Sequence, residues 1–180
     1  MAGNTRITPI RGSSDIFLQR KLFRQTPQPT LAVLDGIQDP QNLGAVIRSA
    51  EALGIHGIIL PRRRTAPLNE TVAKCSSGAL ETIPIAMAIN LANALKLLKK
   101  HGFWVVGVDT DGKKPCYRLS FDSPTALLIG SEGKGIRPLL KRACDFTVSI
   151  PMKGKVGSLN VSAASAVLFY EILRQKRKVE

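Results

Sequence analysis

The segment LAVLDGIQDPQNLGAVIRSAEALGIHGIIL, Leu31 to Leu60, decides the fold. LAVLDGI reads as a strand. From Asn42 to Leu53 the apolar positions Leu43, Val46, Ile47, Ala50 and Leu53 follow helical spacing. HGIIL is a second strand. The alternation continues with a helix over Leu68–Ser76, a strand within IPIAMAI (Ile83–Ile89) and the helix LANALKLLKKHG, stopped by Gly102. FWVVGVD, TALLIGS and FTVSIP are continuous apolar runs, as expected of strands buried on both faces. Asn160 to about Lys178 is a closing helix with a basic end. Strands alternating with helices predict an α/β fold with a mostly parallel, doubly wound sheet. Residues 1–30 are polar and basic and read as an arm or linker remnant, with one short helix around Asp15–Arg24; residues 31–180 form the folded domain.

Composition narrows the function. The 180 residues are 44% apolar but only 5% aromatic, which predicts one domain with an aliphatic core. The formal net charge of +13 points to a polyanionic partner, most often nucleic acid. Basic clusters stand at Arg62-Arg63-Arg64, at Lys99-Lys100 and from Arg174 to Lys178. Cys75, Cys116 and Cys144 form no CxxC pair, and His56 and His101 are the two histidines, so neither a disulfide framework nor a metal site is expected. No apolar run approaches the roughly 20 residues needed to cross a bilayer, and MAGNTRITPIRG has no apolar signal core. A cytoplasmic protein with no membrane association is expected.

Three turns are candidates for one ligand site. In DGIQDPQNLGAVIRSA (Asp35–Ala50), Pro40 and Asn42 mark a turn and helix start, and Gly44 leaves room for close approach. Arg48 either pairs with Glu51 on the surface or offers its fixed fork of donors to an anion. IGSEGKGIRP (Ile129–Pro138) places a glycine-rich loop after a strand. It matches neither GxxxxGK[ST] nor GxGxxG, which disfavours a nucleoside triphosphatase or a dinucleotide-binding dehydrogenase. Glu132 within it pairs with Arg48, meets a cationic ligand, or serves as a helix-start charge. In IPMKGKVGSLNVSAAS (Ile150–Ser165) a strand ends, a loop with Gly154 and Gly157 follows, and a helix opens at Ser158, Leu159 and Asn160. Those residues either cap the helix or present unpaired N–H groups to a ligand.

Taken in order, NLGAVIRSA, IGSEGKGI and IPMKGKVGSLNVSAASA resemble the three signature motifs of the SpoU/TrmH family of RNA ribose 2′-O-methyltransferases, within the SPOUT superfamily. The resemblance spans about Leu31 to Arg174. LDGIQDPQN and LNETVAKCSSGALETIPI are most similar to the branch that methylates a guanosine of 23S ribosomal RNA; a transfer-RNA methyltransferase and a catalytically silent RNA-binding module are the alternatives. The resemblance implies a C-terminal deep trefoil knot, an obligate homodimer with the first-motif and closing helices near its interface, and S-adenosyl-L-methionine as cofactor. Carried over by position, Asn42, Arg48, Glu132, Ser158 and Asn160 belong to the catalytic side. Thr110, Gly130, Ile150, Met152, Ser158 and Leu159 belong to the cofactor side. An arginine is a poor base because its guanidinium holds its proton tightly, so Arg48 is read as an electrostatic stabiliser of the developing alkoxide, positioned by Glu132 or by substrate phosphate. Family members often carry an N-terminal recognition domain, and the short arm here fits either a minimal enzyme or a catalytic-domain fragment.

Overall fold

The computed structural model describes residues 7–10 and 27–176. Eight strands form one sheet: β1 (Ile7–Ile10), β2 (Thr30–Asp35), β3 (Gly57–Pro61), β4 (Ile85–Ala88), β5 (Trp104–Val108), β6 (Lys114–Pro115), β7 (Thr125–Gly130) and β8 (Phe146–Ser149). Their spatial order is β1-β4-β3-β2-β7-β5-β8-β6, and every pairing is parallel. From the β2–β7 pair the chain order runs outward through β3 and β4 on one side, while β5, β8 and β6 lie on the other. That pair is the topological switch point, where open parallel sheets leave a crevice beyond their carboxyl ends. The register sets Asp35 beside Gly130 at that edge.

The helices are α1 (Pro40–Ala52), α2 (Glu70–Ser76), α3 (Ala79–Thr82), α4 (Leu91–Lys100), α5 (Pro138–Lys141) and α6 (Val161–Lys176). Asp39 caps α1 by accepting from the N–H groups of Gln41 and Asn42, and Pro40 takes the first helical position, where no amide hydrogen is needed. The helix therefore starts two residues before Asn42. Every residue of β2 and of β7 is buried, so alternate side chains enter opposite layers. Ala32 and Leu34 join the layer of α1, α2, α3 and α6, while Leu31 and Val33 join that of α4 and α5. Leu43 and Ile47 are fully buried on α1. Each such side chain contributes roughly 1.5–3 kcal/mol of transfer free energy.

Several expectations are corrected. Ile7–Ile10, inside the expected arm, adds an edge strand to β4. Pro9 masks it in the sequence, and an edge is where a sheet tolerates proline. The helix expected over Asp15–Arg24 lies outside the described residues. Gly44 faces α2 rather than a ligand: a Cβ there would stand 2.5 Å from the Cβ of Cys75. The closing helix starts at Val161, with Asn160 as its cap, leaving Ser158 and Leu159 in the loop before it. The basic tail is partly structural, because Lys176 donates to Thr30 Oγ1 (2.7 Å) and to the carbonyl of Gln28, and burial pulls its pKa down to about 8.

Beside Lys176, His56 Nδ1 accepts from the N–H of Thr30 at 3.1 Å. Burial, reinforced by the Lys176 charge, holds its pKa below the ordinary 6.5. Below 6.5 the unfolded chain therefore binds a proton that the folded chain refuses, so this contribution is full above 6.5 and lost as pH falls. Urea melts between pH about 7.5 and about 5.5 should show falling stability in the wild type and a flatter profile in His56→Asn. Parallel profiles would contradict this role for His56.

Candidate active site

A cavity of about 550 Å³ opens at the carboxyl edge of the sheet. Its walls are the chain after β5 (residues 108–110), after β7 (129–135) and after β8 (149–152), with residues 157–159 and the first turn of α6. The loop after β7 doubles back on its own strand through a bridge between Ser131 and Gly135. This requires a bare backbone at Gly130, where a Cβ would lie 2.1 Å from the carbonyl carbon of Gly135. Gly133 and Gly135 turn the loop with φ of 77° and 61°, a left-handed region open to glycine.

Charge then fixes the loop. Asp35, 2% exposed, receives the guanidinium of Arg137 through Nε at 2.9 Å and Nη2 at 2.7 Å, and the Arg137 N–H points at the same carboxylate. A bidentate fork on a carboxylate sets geometry as well as energy. On the other wall Lys141 bridges Asp109 (2.9 Å) and Asp111 (2.7 Å). The lysine holds the Asp111 carboxyl below its usual range, and the two carboxylates raise the lysine in turn.

Across the mouth of the cavity three motif residues meet. Asn160 Nδ2 donates to Asn42 Oδ1 at 3.0 Å, and both amides approach Glu132 Oε2 at 3.5 Å. Asn160 Oδ1 accepts from the N–H and hydroxyl of Ser162. One side chain thus caps α6 and ties it to the start of α1 and to the glycine loop.

The SpoU rRNA methylase family model matches residues 29–170. The chain belongs to this family. It is 47% identical over 162 residues to the TrmH family tRNA/rRNA methyltransferase YacO of Bacillus subtilis, a name qualified there as unproven, covering 90% of this chain and 65% of that one. It is 43% identical over 174 residues to the 23S rRNA (guanosine-2′-O-)-methyltransferase RlmB of Pseudomonas aeruginosa, covering 97% and 70%. The solved SpoU methyltransferase AviRb of Streptomyces viridochromogenes, in complex with AdoMet, superposes with a TM-score of 0.77 at 32% identity, covering 84% of this chain and 59% of that one. The chain spans 60–70% of the length of the first of its curated relatives.

In this SpoU family chain Thr110, Gly130, Glu132, Ile150, Met152, Ser158 and Leu159 all line the cavity. Asn42 and Asn160 join it through Glu132. Arg48 stands apart: it is exposed on α1, six residues beyond Asn42, and makes no ion pair with Glu51 or Glu132. Glu132 receives two amides instead of the expected guanidinium. Sequence reasoning missed Asp35–Arg137 and Lys141–Asp109, whose partners lie far apart in the chain. The lone carboxylate ending an otherwise apolar strand, LAVLD, was the available signal for the first pair.

Removing the Arg137 side chain strands a buried carboxylate. Arg137→Ala should cost about 2 kcal/mol, less than for a fully buried pair because the guanidinium is 44% exposed. Asp35→Asn combined with Arg137→Ala should recover part of that loss in urea melts. A double variant no more stable than Arg137→Ala would show that the carboxylate charge is not what the arginine compensates.

Proposed function

We propose that this chain carries S-adenosyl-L-methionine-dependent methylation of a ribose 2′-hydroxyl in structured RNA, with a guanosine of 23S ribosomal RNA as the substrate. The observation that carries the reading is the cavity at the switch point, walled by two of the three motif turns and crossed at its mouth by the Asn42–Glu132–Asn160 cluster. The names of the RlmB relative and of the AdoMet complex of AviRb support the same substrate class and cofactor.

The cavity fits such a cofactor in size and lining. Thr110, Gly130, Ile150, Met152, Ser158 and Leu159 would hold it, with the loop reversal that the bare backbone at Gly130 permits forming one wall. When bound, the cofactor supplies an electrophilic methyl group on a sulfonium. The chain's own residues then act on the RNA hydroxyl. Ser158 at the cavity wall would orient that hydroxyl, its proton would pass to water at the open mouth, and Arg48 would stabilise the negative charge developing on the oxygen. Asn160 and Asn42 hold Glu132 in place. Fixing two reactants together accounts for much of the rate, up to roughly 7–11 kcal/mol of barrier.

The reading includes a deep trefoil knot, a homodimer and a cytoplasmic location. The C-terminal third packs closely on the chain before it: a Cβ on Gly112 would lie 2.2 Å from the carbonyl carbon of Val148, and the Gln175 side chain of α6 bonds the backbone at Leu119 and Phe121. Val167 and Tyr170 on α6, 42% and 59% exposed, form an apolar surface suited to a second copy. A dimer packed through α6 and α1 sets Arg48 at the boundary between protomers. Among the described residues no helix is long and apolar enough to cross a membrane, and no group of His, Cys, Asp and Glu is placed to hold a metal.

A methyl-transfer assay on ribosomal and transfer RNA, with mapping of the modified nucleotide, tests the reading. Arg48→Ala should lose on the order of 10²–10³-fold in turnover while keeping cofactor affinity by calorimetry; near-normal turnover would remove Arg48 from the chemistry. Asn160→Asp keeps a good helix cap but sets a second carboxylate against Glu132. It should melt near the wild type and still lose at least tenfold in turnover, and wild-type turnover would dissolve the proposed role of the cluster.

A further inference from the structure

We infer that the loop Arg62-Arg63-Arg64 is the arm that grips the RNA backbone next to the target nucleotide, an assignment that rests on the RNA-methylation reading. The three basic clusters of the sequence differ in what the fold does with them. Lys99 is paired to Asp145 at 2.8 Å. Arg174 is paired to Glu171 at 2.7 Å, and Lys176 is folded onto Thr30 and Gln28. Arg62, Arg63 and Arg64 are all exposed, and among the described residues none has an ion pair or hydrogen bond from its side chain. Three adjacent guanidiniums without a carboxylate repel one another and call for an external anion.

The backbone beneath them is held firmly. The N–H of Arg62 extends the ladder to the Ala88 carbonyl at 2.8 Å, and the Ala66 N–H and Thr65 hydroxyl both bond the Ile37 carbonyl. Arg64 itself has φ of 65°, a left-handed conformation that a non-glycine residue keeps only when its surroundings impose it. The loop follows β3 at the carboxyl edge, so it shares that edge with the cavity. Gly36 links the two: a Cβ there would lie 3.5 Å from the Cβ of Ser131, the neighbour of Glu132, and 4.0 Å from the Arg64 carbonyl. A rigid base carrying three free guanidiniums, one residue layer from Glu132, fits a string of phosphates running past the site.

The test is the salt dependence of binding to a ribosomal RNA fragment, by filter binding across a KCl series. Neutralising three phosphate contacts should lower the log–log slope by about 2 in the Arg62→Gln/Arg63→Gln/Arg64→Gln variant. Its cofactor affinity and melting temperature should match the wild type. The control Lys96→Gln/Lys100→Gln removes exposed charge from α4 and should leave the slope within about half a unit, since the helix carries these residues toward the amino ends of the strands. An unchanged slope in the arginine variant, or an equal drop in the control, would overturn the assignment. A wild type that binds this RNA but methylates none would strike the enzymatic reading alone, with the arm still judged by the slopes.

Discussion

At the carboxyl end of β7 the chain reverses onto itself so closely that position 130 has no room for a side chain. The reversal adds a wall to the end of a parallel sheet and so shapes a half-open cavity there. Ile136 anchors the loop in the core, and charge holds it from outside: the Asp35–Arg137 fork on one flank and the Lys141 bridge to Asp109 and Asp111 on the other. The β2–β7 register brings Asp35 beside Gly130, and so places the anchoring carboxylate where the reversal begins.

The Asn42–Glu132–Asn160 contact carries that constraint to the helices. The amide of Asn160 meets an Asx-type local need, capping α6, and a long-range one, meeting α1 and the glycine loop. A movement of any one of the three motif turns is therefore felt by the other two. Positive charge is divided by the same logic of partners. Part of the excess is consumed within the fold, at Lys176 and in the pairs of Lys99, Arg137, Lys141 and Arg174. The remainder, with the run of three at the arginine loop, is left for a polyanion.

Much of the fold is legible in the chain because buried parallel strands leave continuous apolar runs. LAVLD, GIILP and TALLIG became fully buried strands for that reason. The elements that escaped are short or depend on neighbours: Ile7–Ile10 contains a proline, and Lys114–Pro115 is a strand only because β8 lies beside it. The site divides similarly. Gly130, Glu132, Ile150, Met152, Ser158 and Leu159 were identifiable in motif turns and Thr110 from the family resemblance, and they line one cavity. Gly44 resisted, since a glycine spared for helix packing and one spared for a ligand look alike until the neighbour, Cys75, is known.

The amino-acid sequence by itself determined the parallel α/β class, the family, the residues of the motif turns and the surplus of positive charge. These are carried by local periodicity and by ordered motifs, which need no knowledge of what lies across the sheet. Tertiary structure alone decided the partners. Glu132 meets two amides and not Arg48, Asp35 anchors Arg137 from 102 positions away, and Lys176 turns inward while Arg62–Arg64 stays free. Hydrogen bonding falls off within a few ångströms and charges at the surface are screened beyond about 10 Å, so the role of a charge depends on which groups the fold brings within reach.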